Sequence, residues 1–538
     1  MDLVCAPSRT GPSFCSVGGI ALHSPYDPER EAARWLDSHD LRKRITCCVL
    51  LAPCLDFLSP LLRRRNPRLR IVTIQPDAGF RGREQERSDA AWYPDSPLPL
   101  ARFLDEAIAE DEVSGVMVLE WPPAARVFPA VLENQRKILR DSIDRLVGSA
   151  ATIRTFGKRW FINACRSFLL IEEILQPRPV AEALVLAAAG PSLDDSLAAL
   201  RPFSGRFRLL AVSSALSACR AAGLEPDLVV TTDGGQWSRN HLEPLARQRA
   251  PLAAPLTALP SSQIWPQSPI VLLDQGSFVE RRLAPELGGG VPIPPHGTVV
   301  GSALRLAATL GSGPILLAGL DLAVDGDREH CSPHAFDILE EQSGERRLPL
   351  STVRYAHSRQ NAPLRLGEGA WRVSRSLSTY ASALADETPT FSGRLFRLSP
   401  SPVELPGCES VEPDMLPGVL GRARGRDHGT EGWPAAESPD DRRVSDGELR
   451  LATPGRLHLL SWALDEWSRE LRGACEGLAA GLLPADQPTR DLLRSLDLPD
   501  WAASRRACIG GEDATAAALA LRKHVEAILS DTKRRLTE

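Results

Sequence analysis

Short, continuous apolar runs recur along the chain, and stretches with helical spacing of their apolar residues follow them. The first is Ile45-Thr-Cys-Cys-Val-Leu-Leu51. With almost no polar position, it suits a strand covered on both faces rather than one with a wet side. Leu55 to Arg65 fits a helix, and Leu69-Arg-Ile-Val-Thr-Ile74 fits the next strand, ending at Gln75-Pro76-Asp77. Val113 to Leu119 reads as another buried strand. Strand, helix and strand in this order predict a parallel sheet. A dinucleotide-binding unit carries a glycine-rich turn after its first strand, so that backbone can approach a phosphate. Here that turn is Leu51-Ala-Pro-Cys-Leu55. Pro53 has no N–H to donate, and Ala52 does not take a positive φ cheaply. Residues 1–150 are therefore expected to form a Rossmann-like domain that has lost its own ligand site.

Residues 151–178 continue a helical, connecting pattern that begins near residue 126, and Pro177-Arg-Pro179 breaks it. A second α/β unit is clearest from Ala183 to about Leu322 and extends irregularly, making residues 179–408 a central domain. Residues 409–447 are rich in Pro, Gly, Asp, Glu and Arg, with few aliphatic residues after Leu420, and read as a flexible linker. Helical periodicity returns in residues 448–538. Leu457, Leu460, Trp462, Leu464 and Trp467 form one apolar stripe, and Ala516, Leu519, Leu521, Val525 and Leu529 another. Such stripes are the core of a small helical bundle. The fold class expected is α/β: two Rossmann-like parallel-sheet domains and a C-terminal helical bundle.

Composition narrows the class. The 538 residues are 43% hydrophobic and 24% charged, enough to bury cores. A net charge of −5 disfavours a globally basic nucleic-acid binder. The 11 cysteines are odd in number and lack any Cys-x-x-Cys pair, which argues against a disulfide scaffold and a zinc ribbon. Met1 to Gly19 lacks a basic stretch followed by an apolar one, and no run approaches the ~20 apolar residues of a membrane span. A cytoplasmic, multi-domain protein is the expectation.

Candidate chemistry gathers in the central domain. Ala183-Leu-Val-Leu-Ala-Ala-Ala189 is a buried strand, Gly190-Pro-Ser-Leu193 follows it, and a helix begins at Asp194. Gly190 permits a sharp turn, Pro191 fixes φ, and Ser192 is placed to cap the helix, with Asp195 approximating a capping box. Such a corner offers free N–H groups and a positive helix end to a phosphate, although it is equally a common corner with no ligand. The next strand, Phe207 to Val212, ends at Ser213-Ser214, and Pro226-Asp-Leu-Val-Val-Thr-Thr232 ends at Asp233-Gly-Gly235. Small hydroxyls and a carboxylate thus fall at successive strand ends, the edge where open α/β sheets bind ligands. Asp233 could accept from sugar hydroxyls or simply form the turn. The helix from Val299 to Leu310 offers a further N-terminus with small residues, Ser302 among them. Beyond the Pro314–Ala318 strand come Gly319-Leu-Asp321, then His330 and His334 in a polar loop. A loop histidine near its ordinary pKa of about 6.5 suits a general base. His330, Cys331 and His334 could also approach a metal site, but no second cluster completes one.

These residues together resemble the bacterial motility accessory factor family of flagellin glycosyltransferases, whose central domain is shared with 6-hydroxymethylpterin diphosphokinase-like proteins. The resemblance is carried by Gly190-Pro-Ser-Leu193 through Asp233, by Phe156-Gly-Lys-Arg-Trp160 with Asn163, by Ser302 to Gly311 and Gly319-Leu-Asp-Leu-Ala323 with His330, and by Leu22-His-Ser-Pro-Tyr-Asp-Pro28. It covers roughly residues 10 to 410. It implies a sialyltransferase-like central domain that transfers a nonulosonic acid from a CMP-activated donor to flagellin Ser/Thr hydroxyls, without a cofactor or metal. It further implies that Gly190, Pro191 and Ser192 cradle the nucleotide phosphate, that Ser213, Asp233 and Ser302 line the donor site, and that Asp321 and His330 lie near the reacting centre, with His330 as the base. The sequence departs from the family at Asp233-Gly-Gly, where Asp-Pro is usual, and at Ala187-Ala-Ala-Gly190, where a second glycine is usual. A catalytically silent binding or scaffold protein, and an ATP–Mg²⁺-dependent pterin diphosphokinase, are the competing readings.

Overall fold

A computed structural model of the chain describes residues 3–40, 45–85, 88–177, 179–366, 370–391, 393–421 and 453–537. The chain divides into two compact units, Met1–Lys158 with Trp462–Glu538, and Arg159–Ser461.

In the first unit, four parallel strands lie in the order Ala90–Trp92, Arg70–Ile74, Cys47–Leu51, Val116–Glu120. Every residue of Cys47–Leu51 is buried, as its uninterrupted apolar run requires. The turn after it departs from expectation. Ala52, Cys54 and Asp56 adopt φ of 53°, 58° and 52°, each costing about 1 kcal/mol for a residue with a Cβ. The neighbours that impose this conformation are specific. The Cys54 N–H donates to Gln75 Oε1 (3.1 Å) while Gln75 Nε2 donates to the Cys54 carbonyl (2.9 Å). The Leu55 N–H donates to His23 Nε2 (3.2 Å), and the buried Asp56 carboxylate accepts from the Ser59 N–H and hydroxyl. N–H groups that would face a phosphate in a dinucleotide-binding turn therefore face protein acceptors. His23 stacks on Trp121 at 5.4 Å, and the Trp121 indole donates to the Leu22 carbonyl. Those contacts account physically for the Leu22-His23 segment.

The helices Gln487–Leu496, Leu498–Gly510 and Thr515–Thr537 belong to this same unit. A change of composition near residue 448 is thus not where compactness divides the chain. Arg505 on the second of these helices bonds Asp111 (2.6 Å) and Glu112 (2.7 Å), and Arg70 reaches the fully buried Glu112 (2.7 Å). Leu460, Leu464, Trp467, Leu521, Val525 and Leu529 are buried as the stripes predict, whereas Trp462 and Leu519 point outward, 52% and 58% exposed.

The second unit is built on nine parallel strands. Ala183–Ala187 lies inside the sheet. Phe207–Val212, Leu228–Val230, Leu252–Pro255, Ile270–Asp274 and Val291–Pro292 step away on one side, and Ile315–Ala318, Leu395–Arg397 and Cys408–Ser410 on the other. The order reverses between Ala183–Ala187 and Ile315–Ala318, which pair directly. The stretch expected to open a linker at 409 is ordered at its start: Cys408–Ser410 extends the sheet, and Leu416 and Leu420 are buried in its core. These are the last aliphatic anchors before the polar run. Residues 422–447 of the expected linker lie outside the described residues. The 42-residue helix Pro129–Leu170 covers most of the predicted connecting segment. Among the described residues, no helix is long and apolar enough to cross a membrane.

Candidate functional site

At the reversal point the two turns press together. Gly190 donates its N–H to the Gly319 carbonyl (2.8 Å), and a Cβ on Gly190 would lie 2.5 Å from both Gly319 O and Asp321 Oδ2. Gly319 has φ of 66°, and a Cβ there would meet the Ala188 carbonyl at 2.5 Å. Asp321 is 1% exposed and accepts from Ser192 twice, from the N–H at 2.8 Å and from the hydroxyl at 2.5 Å. Two expectations are corrected here. Ser192 does not cap the helix Leu193–Leu200 with its side chain, because its hydroxyl is turned toward Asp321. Nor are the turn's N–H groups free: Gly190 bonds Gly319, Ser192 bonds Asp321, Leu193 bonds Gly190, and Pro191 has none. Burial pushes the Asp321 carboxyl above its ordinary range, and the two Ser192 bonds oppose this.

The loop beyond Asp321 returns over this helix. The Cys331 N–H donates to the Ala189 carbonyl (3.0 Å), the Ser332 N–H donates to Asp194 Oδ1 (3.0 Å), and Arg328 pairs with the same carboxylate. These contacts carry His330 and His334 to the carboxyl edge of the sheet. The exposed His330 ring stacks on His334 at 4.3 Å with the planes 17° apart. His334 is buried, and desolvation first, then His330 and His241, push its pKa down to about 3. His241, from the helix Ser238–Arg247, stands 5.0 Å from His334, and its pKa is also lowered by burial. Phe336 packs edge-on to both rings, and the exposed Trp237 packs against Phe336. The outcome is an accessible imidazole stacked on a buried one, with the His241 ring tilted at 56° against the buried ring.

Asp233 is exposed, and its Oδ1 accepts from the Gly235 N–H (2.6 Å), so it does form the turn; its charge also acts on His241. That turn is clamped from the helix Pro129–Leu170. Asn163 Nδ2 donates to the carbonyls of Gly234 and Thr257 (both 3.1 Å), and a Cβ on Gly234 would strike the Trp160 ring at 2.7 Å. Ser213 is buried, 3.5 Å from the Thr231 hydroxyl. Ser302 is buried too, and its hydroxyl has no hydrogen-bond partner. At the start of its helix the Gly301 N–H is taken by Thr298 Oγ1 (3.0 Å), so fewer N–H groups are free there than expected. Among the described residues, the set of three His, Cys, Asp or Glu side chains with ligand atoms within 4.8 Å of one another is Asp497, Asp500 and His524. His330, Cys331 and His334 do not form such a set.

Sequence reasoning missed His241, which lies 89 positions before His330 and carries no local signal beyond being a histidine on an amphipathic helix. It also missed Arg397, buried beneath the same edge, which donates to the carbonyls of Leu320 and Val403 and so supports the Asp321 turn.

Residues 162–327 match the family described as 6-hydroxymethylpterin diphosphokinase MptE-like. An uncharacterized protein of Treponema pallidum (strain Nichols) is 30% identical over 254 residues, which are 47% of this chain and 56% of that protein. The chain thus spans about half the length of that curated relative. The structure of MAf glycosyltransferase from Magnetospirillum magneticum AMB-1 aligns with a TM-score of 0.57 at 13% identity, covering 100% of this chain and 91% of the other. The fold is shared across the whole chain.

Proposed function

On the premise that this chain carries an MptE-like domain within the fold of the motility accessory factor glycosyltransferase, we propose that it is a protein O-glycosyltransferase. In this reading it works in the cytoplasm, in flagellar assembly and motility. It moves a nonulosonic, sialic-acid-like sugar from a CMP-activated donor to Ser/Thr hydroxyls of flagellin. The observation that carries the reading is the placement of His330: an accessible imidazole at the carboxyl edge of the parallel sheet, held flat against the buried, neutral His334. Inverting transfer needs a base at the acceptor hydroxyl, and contributes typically 10²–10⁴-fold through such a group. His330 takes the hydroxyl proton as the acceptor oxygen bonds the anomeric carbon. The bond to the CMP phosphate breaks, and its electron pair leaves with the phosphate. Asp233 accepts from sugar hydroxyls, the unpartnered hydroxyl of Ser302 is left to the donor, and Ser213 serves the donor by exchanging its weak bond to Thr231. Asp321 acts through Ser192 as a positioning residue, holding the Gly190–Ser192 turn in shape.

The test is incubation of the purified chain with flagellin and a CMP-activated pseudaminic or legionaminic acid, read as intact flagellin mass. The expected result is a mass gain of one or more sugars, lost by at least about a hundredfold in rate for His330→Ala with CMP affinity retained. The closed Gly190 turn favours a second reading, a binding or scaffold protein that keeps the fold. No CMP affinity by calorimetry and no change in flagellin mass would establish that reading over the first. A pterin diphosphokinase would need this turn to hold a triphosphate with Mg²⁺, and the Asp321 carboxylate occupies Ser192 instead; saturable ATP–Mg²⁺ binding in the same calorimeter would reinstate it.

A further inference from the structure

In the first unit, the antiparallel hairpin of Leu3–Pro7 and Ser13–Val17 sets Cys5 directly opposite Cys15. The Leu22 N–H donates to the Cys15 carbonyl (2.8 Å), so the backbone polar groups of Cys15 point toward Leu22 and away from Cys5. Cys5 and Cys15 are therefore a non-hydrogen-bonded pair, in which opposed Cα atoms come to about 4.5 Å and side chains lie closest. A disulfide bridges Cα atoms ~4.4–6.8 Å apart. Side chains two positions apart on a strand share a face. Leu3 and Val17, on the same face as the cysteines, pack against the core, and Cys15 is fully buried in it.

The two sulfurs differ in access. Of the 11 cysteines, Cys5 is exposed, Cys408 is half-buried and the rest are buried. Reactive cysteines are accessible and sit in electropositive surroundings, whereas buried structural ones are inert. Arg83 Nη1 donates to Cys5 Sγ (3.3 Å), and its charge also acts on Cys15. Burial first, then Cys5, push the Cys15 thiol up to about 12 against the pull of Arg83. Cys15 thus stays protonated and out of reach of solvent, and Cys5 is the sulfur that an oxidant meets. Cys15 needs no path to solvent, because the side chain opposite it on this face is Cys5 itself. Cys54, which also acts electrostatically with Cys15, is fully buried, and its thiol donates to the Ala52 carbonyl (3.3 Å).

We propose that Cys5 and Cys15 are a peroxide-sensitive pair that closes reversibly into an intramolecular disulfide. The Cys5 sulfur bonds one peroxide oxygen as the O–O bond breaks, and the other oxygen leaves as water with the thiol proton. The Cys15 sulfur then bonds the Cys5 sulfur, the S–O bond breaks, and a second water carries off the Cys15 proton. The two thiols lose two electrons and the peroxide gains them. A dithiol restores both cysteines by exchange and is itself oxidised to its disulfide. The site does not depend on the transferase reading. The test treats the reduced full chain with hydrogen peroxide, alkylates it under denaturing conditions and maps it by mass spectrometry. Trypsin cuts between Arg9 and Thr10, so the peptides carrying Cys5 and Cys15 stay joined only through a disulfide. A joined pair and an intact mass lower by two hydrogens are expected, both reversed by dithiothreitol. Cys5→Ser, at an exposed position, is expected to abolish the link and leave Cys15 reduced. Cys15→Ala is expected to leave a sulfenic acid on Cys5 that dimedone traps; if that variant fails to fold, the Cys5→Ser comparison decides alone. Peroxide treatment that leaves Cys15 alkylatable overturns the proposal. So does a Cys5 link between two chains, or a link from Cys15 to Cys54.

Discussion

Replacing Asp321 by alanine separates a structural closure from an open anion site. In the folded chain the Asp321 carboxylate, 1% exposed, accepts two bonds from Ser192 at 2.8 and 2.5 Å. Hydrogen bonds to a charged group contribute about 1.5–3 kcal/mol each, so the pair supplies about 3–6 kcal/mol. Burial opposes this by disfavouring the charged form, which is why the carboxyl titrates above its ordinary range. Removing the carboxylate returns part of that desolvation, so Asp321→Ala is expected to lose about 2–4 kcal/mol net. Asp321→Asn is the matched control. Its carbonyl can accept from the Ser192 N–H and its amide can donate to the Ser192 hydroxyl, so it is expected to lie within about 1 kcal/mol of the parent. Urea unfolding followed by circular dichroism measures both through midpoint and slope. An alanine variant as stable as the parent, or an asparagine variant as damaged as the alanine one, would refute the claim that Asp321 holds this turn. The sign of the pH effect follows the same logic. A carboxyl raised in the folded state binds its proton more tightly there, so its penalty is absent below the unfolded pKa and fully present above the folded one. The parent is therefore expected to lose stability relative to Asp321→Asn as pH rises from about 4, the ordinary carboxylate value.

Gly190→Ala places a Cβ 2.5 Å from two oxygens, and a loss of at least about 3 kcal/mol is expected in the same urea assay. Arg505→Ala leaves Asp111 and the fully buried Glu112 without their shared guanidinium, although Arg70 still reaches Glu112; about 3 kcal/mol should be lost, seen as a lower midpoint for the first unit. His23 is held neutral by burial, its pKa pushed down to about 3 from 6.5. A depressed histidine keeps its contribution above the unfolded pKa and loses it as pH falls toward the folded one. His23→Gln keeps an acceptor for the Leu55 N–H and does not titrate, so relative to the parent it should gain up to about 1.4 kcal/mol per pH unit between pH 6.5 and 3, measured by unfolding midpoints across that window.

How much of this was legible beforehand differs by element. Cys47–Leu51 and Ala183–Ala187 were readable as doubly covered strands because five consecutive apolar residues leave no side to face water, and their short length between turn and helix signals favours a strand. Strand ends at Ser213, Asp233 and Gly319 followed from the same rhythm, and with them the edge where the candidate site lies. The Gly190 turn shows where local reading stops. Its residues predict open N–H groups, yet the partner that closes it, Asp321, is 129 positions away. Ala52 was expected to avoid a positive φ on local energetics, and the turn it opens is held against that preference by Gln75 on Cys54 and His23 on Leu55, 21 and 32 positions away. His241 joins His330 and His334 only because two loops return to one sheet edge, and Arg505 finds Asp111 and Glu112 across the breadth of the chain. The sequence by itself determined which segments are buried strands and helices, since burial is written in the local spacing of apolar residues. Only the tertiary structure decided which polar groups are spent on the fold and which are left for chemistry, because a hydrogen bond or ion pair is set by distance in space and leaves no periodic trace along the chain.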